Sequence, residues 1–297
     1  MENSIYKDIS TRTGGNIYIG VVGPVRTGKS TFIKSFMEEM VIPQIDDIYL
    51  KERARDELPQ SGSGKTIMTA EPKFVPEEAI KISFDNTSSF NVRMIDCVGY
   101  MVPGAMGQFE NDMPRMVSTS WFEYEIPLSE AAEIGTKKVI QEHSTIGIVV
   151  TTDGSIGDLT REEYLNAEDR IIKELLEIKK PFCVLVNSTD PDGDKAQLIK
   201  NDIIKKYNVA CMTVDCLNLT SKQIEDVLSA ILYQFPIKEY CFNIPEWILC
   251  LQQDDEIKKL LFSSIYDSCN NISKMSDVAL RTFQNFSVSL LIHSFED

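Results

Sequence analysis

The 297 residues, 43% hydrophobic and 25% charged, suit an ordinary soluble globular protein of one large α/β domain plus part of a second. A formal net charge of −15 argues against nucleic acid as a partner, because nucleic-acid binding needs a basic face. No apolar run approaches the length of a membrane span and the N-terminus lacks the apolar core of a signal peptide, so a cytoplasmic chain is expected.

Residues 1–15 are polar and read as a lead-in. The apolar run Ile17–Val22 then predicts a strand, and Gly23 to Ser30 spell G-x-x-x-x-G-K-S. A strand breaking into this loop and then into a helix makes a phosphate nest, where backbone N–H groups and the helix dipole converge on an anion. The binding set is Gly23, Pro24, Val25, Arg26, Thr27, Gly28, Lys29, Ser30 and Thr31. Lys29 would reach the β- and γ-phosphates and the Ser30 hydroxyl would ligate Mg²⁺. A Cβ at Gly23 or Gly28 would block the turn or the phosphate.

A helix over 30–40 is stopped by Pro43, and 47–57 is charge-dense helical or irregular surface. Gln60–Thr66 imitates a second phosphate loop, but Pro59 stands where its first glycine should be and no strand precedes it; a flexible loop is expected. Thr66–Val75 suits a switch loop whose threonine closes on Mg²⁺ and the γ-phosphate. Residues 79–84 and 90–95 read as a strand pair joined by Asp85–Ser88. The second strand ends in Asp96-Cys-Val-Gly99, which places Asp96 to hold a Mg²⁺ water and the Gly99 N–H to meet the γ-phosphate.

From 100 to 142 runs a long segment rich in Pro, Gly, Met and aromatic residues, helical over 134–141; a connection this long is usually functional. A buried strand over 145–152 leads through Asp153 to a capping box, Thr160 to Glu163, that opens a helix to about 179. Leu165, Ile171, Ile172, Leu175 and Leu176 are its expected core face. A strand over 181–186 ends in Asn187-Ser-Thr-Asp190, and 209–214 is the next strand. Thr220 then caps a helix carrying Ile224, Val227, Leu228, Ile231 and Phe235, stopped by Pro236. Strands alternating with helices predict a mostly parallel sheet covered on both faces, with ligand at the strands' carboxyl ends. After Pro245 only helical patterns remain, over 247–269 and 275–295. We therefore expect an NTPase domain at 1–240 with an insertion at about 100–142, and the helical start of a second domain at 241–297 of a truncated chain. Seven cysteines without a C-x-x-C pair read as reduced, mostly core residues.

Phosphate loop, threonine loop, D-x-x-G and N-x-x-D in this order resemble a translation-factor-like GTPase core of the P-loop NTPase class. The finer text resembles the stage IV sporulation protein A family. It is carried by Gly23–Ser30, Thr66-Ile-Met-Thr-Ala-Glu-Pro-Lys-Phe-Val-Pro76, Asp96–Tyr100, Glu130-Ala-Ala-Glu-Ile-Gly135, Val139-Ile-Gln-Glu-His-Ser-Thr-Ile-Gly147 and Thr151–Gly157. The resemblance implies an ATPase using ATP and Mg²⁺, whose hydrolysis drives self-polymerisation into the basement layer of the spore coat. The place implied is the mother-cell cytoplasm, peripheral on the forespore outer membrane surface. The partners implied are the chain itself, a small amphipathic membrane-associated sporulation peptide and spore coat proteins. Carried over by residue, Lys29, Asp96 and Thr69 are the catalytic set and Ser30, Thr69 and Asp96 the metal set, with Gly99, Asn187 and Asp190 completing the nucleotide site.

Ala70 stands where the family often has a second threonine, so Thr69 acts alone. Ser188 replaces the lysine of the guanine-reading motif while Asn187 and Asp190 survive, which weakens guanine preference; the choice of ATP rests on the resemblance. Tyr100 follows Gly99 where many small GTPases place a water-orienting glutamine, so either slow hydrolysis or a water positioned by another residue, not identified by the sequence, is expected. The alternatives are a GTPase-type regulatory switch and a scaffold that binds nucleotide without hydrolysing it.

Overall fold

Apolar runs bounded by glycine, asparagine or aspartate form the strands of one six-stranded sheet. The computed structural model describes residues 11–59, 71–85, 88–105, 107–110, 113–237, 239, 242–270 and 272–280. The Gly-rich stretch 60–70, with Thr69, lies outside these. The strands are β1 (Asn16–Val22), β2 (Lys73–Asp85), β3 (Ser88–Asp96), β4 (Ile146–Thr152), β5 (Phe182–Asn187) and β6 (Ala210–Val214). They lie in the order β6-β5-β4-β1-β3-β2. All neighbours are parallel except β2 with β3, the antiparallel pair expected from the sequence. Every residue of β4 and β5 is buried, which requires cover on both faces of the sheet.

The cover comes from α1 (Lys29–Phe36), α2 (Ile48–Asp56), α3 (Leu128–Lys138), α4 (Arg161–Ile178), α5 (Asp194–Tyr207) and α6 (Ser221–Leu232). α1 runs on as a wider π-type turn over Met37–Val41 and a 3₁₀ turn over Ile42–Gln44 that accepts Pro43. α2 settles the charge-dense stretch as a helix, capped by Asp47, whose carboxylate accepts from the N–H groups of Tyr49 and Leu50. The box that opens α4 is formed: Glu163 accepts from the Thr160 N–H at 2.7 Å. Tyr164, Ile171, Ile172 and Leu175 are fully buried, each aliphatic side chain contributing about 1.5–3 kcal/mol. Leu165 departs from the expected core and is 46% exposed, because Tyr164 fills the inward position of that first turn. α5 had no counterpart in the sequence reading.

The expected switch loop is shorter than its motif suggests. Its last residues, Lys73–Val75, already pair with Asp96, Ile95 and Met94 as the start of β2. In the 100–142 segment, the helix begins at Leu128, six residues before the predicted start. Two short strand pairs precede it, Phe109–Glu110 with Met113–Pro114 and Met116–Val117 with Ile126–Pro127. Trp121 packs over Gly135 of α3, where an added Cβ would lie 2.9 Å from the indole ring.

The chain divides into two compact units, Met1–Ile231 and Leu232–Asp297. In the second, the expected helix over 247–269 is broken into α7 (Glu246–Leu249) and α8 (Glu256–Asn270), and α9 (Met275–Leu280) follows. Asp255 caps the start of α8 by accepting from the Ile257 N–H, and α8 buries no residue. The rest of the predicted 275–295 helix lies outside the described residues. Among the described residues, no helix is long and apolar enough to cross a membrane.

Candidate functional site

The carboxyl ends of β1, β3, β4, β5 and β6 bring the sequence motifs to one edge of the sheet, as the crevice rule for open α/β sheets requires. Backbone bonds tie the turn after β1 to the segment after β3. The Val25 N–H donates to Tyr100 O at 2.9 Å, and the Tyr100 N–H donates to Gly23 O at 3.2 Å. This ties the phosphate loop to the D-x-x-G segment. Two glycines define the cradle. At Gly28 (φ 95°) a Cβ would lie 2.3 Å from the Asn187 amide nitrogen. At Gly99 (φ 90°) it would lie 2.5 Å from Lys29 Nζ. Only glycine leaves those spaces open.

Inside the loop, Lys29 is 5% exposed and its ammonium donates to Pro24 O at 2.7 Å. Burial lowers its pKa, against the raising influence of Cys97 and Asp96. Asp96 accepts from the Ser30 hydroxyl at 2.6 Å through Oδ2, while Oδ1 is buried without a hydrogen-bond partner. Burial raises the Asp96 pKa, opposed by the Ser30 bond and by the charges of Lys29 and Lys73. A hydroxyl and a buried carboxylate with one unused oxygen fit a divalent cation and its water, and Ser30 and Asp96 would hold Mg²⁺. Such an ion would neutralise charge on the β- and γ-phosphates. Between them, burial pushes the Cys97 thiol up to about 11, and its Sγ–H donates to Val21 O. It is a packing residue, unsuited to nucleophilic work.

Asn187 is buried with both ends of its amide engaged. Nδ2 donates to Thr27 O at 2.9 Å and Oδ1 accepts from the Cys216 N–H at 3.0 Å. It therefore braces the phosphate loop against the loop after β6. Ser188 points inward, donating to Asp153 Oδ2 and accepting from the Asp190 N–H, so Asp190 is left exposed at the mouth. Burial works to raise the Asp153 pKa, but hydrogen bonds from Ser155 and Ser188 outweigh it and hold the carboxyl below its ordinary value. Gly23 to Ser30, Asp96, Gly99 and Asn187 of the predicted set thus meet here, while Asp190 is exposed. Thr69 lies outside the described residues.

Sequence reading missed three supports. Cys216 enters through its backbone N–H, which leaves no side-chain signal. Tyr100, buried, donates its hydroxyl to Glu174 and lies under Arg170, whose guanidinium forks onto Glu133 at 2.6 and 2.7 Å. Arg161 forks onto Glu168, also reaching Thr151 Oγ1 and Thr152 O, which pins the end of β4. Its signal was available: residues seven apart lie two turns along one helix face. Glu168 is 3% exposed, so Glu168→Ala should destabilise the protein by about 3–5 kcal/mol by leaving the part-buried Arg161 guanidinium without its counter-charge. Urea unfolding checks this; a loss below about 1 kcal/mol, the value of an exposed pair, would contradict it.

The family profile described as "Stage IV sporulation protein A, ATPase domain" matches residues 1–236. Stage IV sporulation protein A of Clostridioides difficile (strain 630) is 49% identical over 278 residues, covering 94% of this chain and 57% of that protein. The protein of the same name from Bacillus subtilis (strain 168) is 47% identical over 274 residues, covering 92% and 56%. The chain therefore spans just over half the length of these curated relatives. Among solved structures, translation elongation factor SelB from Methanococcus maripaludis, in complex with the GTP analogue GppNHp, matches with a TM-score of 0.40 at 12% identity. That match covers 76% of this chain and 36% of SelB. A probable GTP-binding protein EngB matches with a TM-score of 0.38 at 15% identity, covering 71% and 98%.

Proposed function

Since the chain belongs to the stage IV sporulation protein A family, we propose that it is a Mg²⁺-dependent ATPase whose hydrolysis drives its own polymerisation into the basement layer of the spore coat. It acts from the mother-cell cytoplasm, peripheral on the forespore outer membrane, with an amphipathic membrane-associated sporulation peptide and coat proteins as partners. The observation that carries the enzymatic part is the buried Lys29, with Ser30 hydrogen-bonded to Asp96 beside an open glycine cradle and the buried Asp96 Oδ1 unsatisfied. The test is phosphate release from ATP with and without Mg²⁺, alongside sedimentation of polymer. Mg²⁺-dependent release with ATP-dependent pelleting is the expected result, and release unaffected by chelation would overturn it.

Surviving Asn187 and Asp190 favour a guanine-nucleotide switch as the second reading. The loop after β6 favours adenine. Its Cys216 N–H is used by Asn187, and its Leu217 N–H donates to Asp215 Oδ1 at 2.9 Å. Guanine presents an acceptor at O6 where adenine presents an amine. Asp215 Oδ2 also accepts from Asn218 Nδ2 at 2.7 Å, and a carboxylate there suits the amine better than O6. Asp215→Ala should free the Leu217 N–H and raise GTP affinity relative to ATP by about tenfold, the worth of one hydrogen bond. Asp215→Asn keeps an acceptor and should keep the preference. Competition binding decides; equal selectivity in the parent and Asp215→Ala would remove Asp215 from base reading.

A further inference from the structure

Resting on the ATPase reading, we propose that Arg26 is a catalytic residue, a built-in arginine finger on the phosphate loop that grips the γ-phosphate as its bond to ADP breaks. Arg26 lies three residues before Lys29, within the loop that wraps the phosphates. Its φ of 62° is left-handed, a region that side chains other than those of Gly, Asn and Asp seldom adopt. Strain of this kind in a binding loop is held by its surroundings and gathers at functional sites.

The guanidinium itself is unemployed. Nη2 is buried and has no hydrogen-bond partner, and no ion pair joins Arg26 to an acidic side chain among the described residues. The hydroxyl of Tyr164, whose pKa burial raises against the opposing charge of Arg26, is likewise buried and without a hydrogen-bond partner. Neither group has a hydrogen-bond partner. This arrangement parks a cation rather than anchoring one. Of the other arginine heads discussed above, the part-buried Arg161 is locked onto Glu168 and the exposed Arg170 onto Glu133.

The reaction needs such a cation. Water oxygen bonds to the γ-phosphorus, and the bond to the β–γ bridging oxygen breaks with its electron pair left on ADP. The water protons pass to inorganic phosphate and solvent. Negative charge grows on the bridging and γ-oxygens, where a planar guanidinium fork donates best. Lys29 is held by Pro24 O at the cradle, and Tyr100, which stands where a glutamine could serve, is turned onto Glu174. Among the described residues of the phosphate loop, Arg26 is the cation whose head has no hydrogen-bond partner, and it can add to Lys29 in the transition state.

The test uses Arg26→Gly in the full chain, because glycine favours the left-handed backbone and removes only the side chain. ADP and ATP affinities should stay within about twofold of the parent. Turnover should fall about 30-fold, the gap between GTPases with and without an arginine in cis. The added affinity that aluminium fluoride confers on ADP, a binding readout independent of turnover, should fall likewise. Arg26→Lys should recover little of it, since an ammonium lacks the fork. Equal fluoride gain and equal turnover in the parent and Arg26→Gly overturn the finger alone. Loss of ATP affinity in proportion to turnover makes Arg26 a structural residue and also overturns it. A parent that binds ATP yet neither turns it over nor gains from fluoride overturns the finger together with the ATPase reading.

Discussion

Lys29→Ala is expected to abolish nucleotide binding while leaving the loop folded. The loop survives because Pro24 O has a second donor, the Thr27 hydroxyl at 3.0 Å, when the ammonium at 2.7 Å is removed. The fold also loses a buried charge whose desolvation already opposes it. The nucleotide, by contrast, loses its only buried ammonium among the described residues. Charge-assisted bonds from one ammonium to the β- and γ-phosphates together contribute some 3 kcal/mol or more, so affinity should fall by at least about 100-fold. Thermal unfolding with and without ATP separates the two effects. The parent should be stabilised by about 2.7 kcal/mol at ligand one hundred times above its Kd, and Lys29→Ala by at most about 0.4 kcal/mol. An unchanged ATP-induced shift would remove the phosphate from this loop.

Asp96→Ala should do the reverse: bind and stall. Asp96 touches the site through Ser30 and through its unsatisfied Oδ1, both on the side where a cation and its water would sit. Its burial raises the carboxyl pKa, so truncation relieves an unfavourable charge and frees the Ser30 hydroxyl to meet solvent or phosphate. The main-chain cradle and Lys29 remain, and ATP affinity should change only a few-fold. Turnover should drop about 10²–10³-fold, the usual cost of removing one preorganised group that acts on transition-state charge. Phosphate release across a Mg²⁺ titration reads this directly. Activity within a few-fold of the parent at saturating Mg²⁺ would show that another carboxylate holds the ion.

The catalytic and polymer arms can fail separately. A chain that hydrolyses ATP and stays monomeric would keep the site and sink the assembly reading. A chain that assembles with Lys29→Ala as well as the parent would detach assembly from nucleotide.

Local chemistry was decisive where a function lies within a few consecutive residues. Gly23 to Ser30 could be read because each residue type serves a contact its immediate neighbours set up, and Thr160 with Glu163 because a capping box closes within one turn. The strand runs were readable for the same reason: a buried strand such as β4 is apolar at every position. Whatever depends on chain crossing chain was decided by packing. The 2.3 Å limit at Gly28 comes from Asn187, 159 residues later, and the brace continues to Cys216 through a backbone N–H that any residue type could supply. Leu165 shares a helix face with Ile172, yet the sheet gives its level to Tyr164. Asn187 sits at the base-reading position of its motif, yet tertiary contacts engage both ends of its amide. A sequence states which hydrogen-bonding groups exist; only the fold determines which of them are already satisfied and which, like Asp96 Oδ1 and Arg26 Nη2, are left for a ligand.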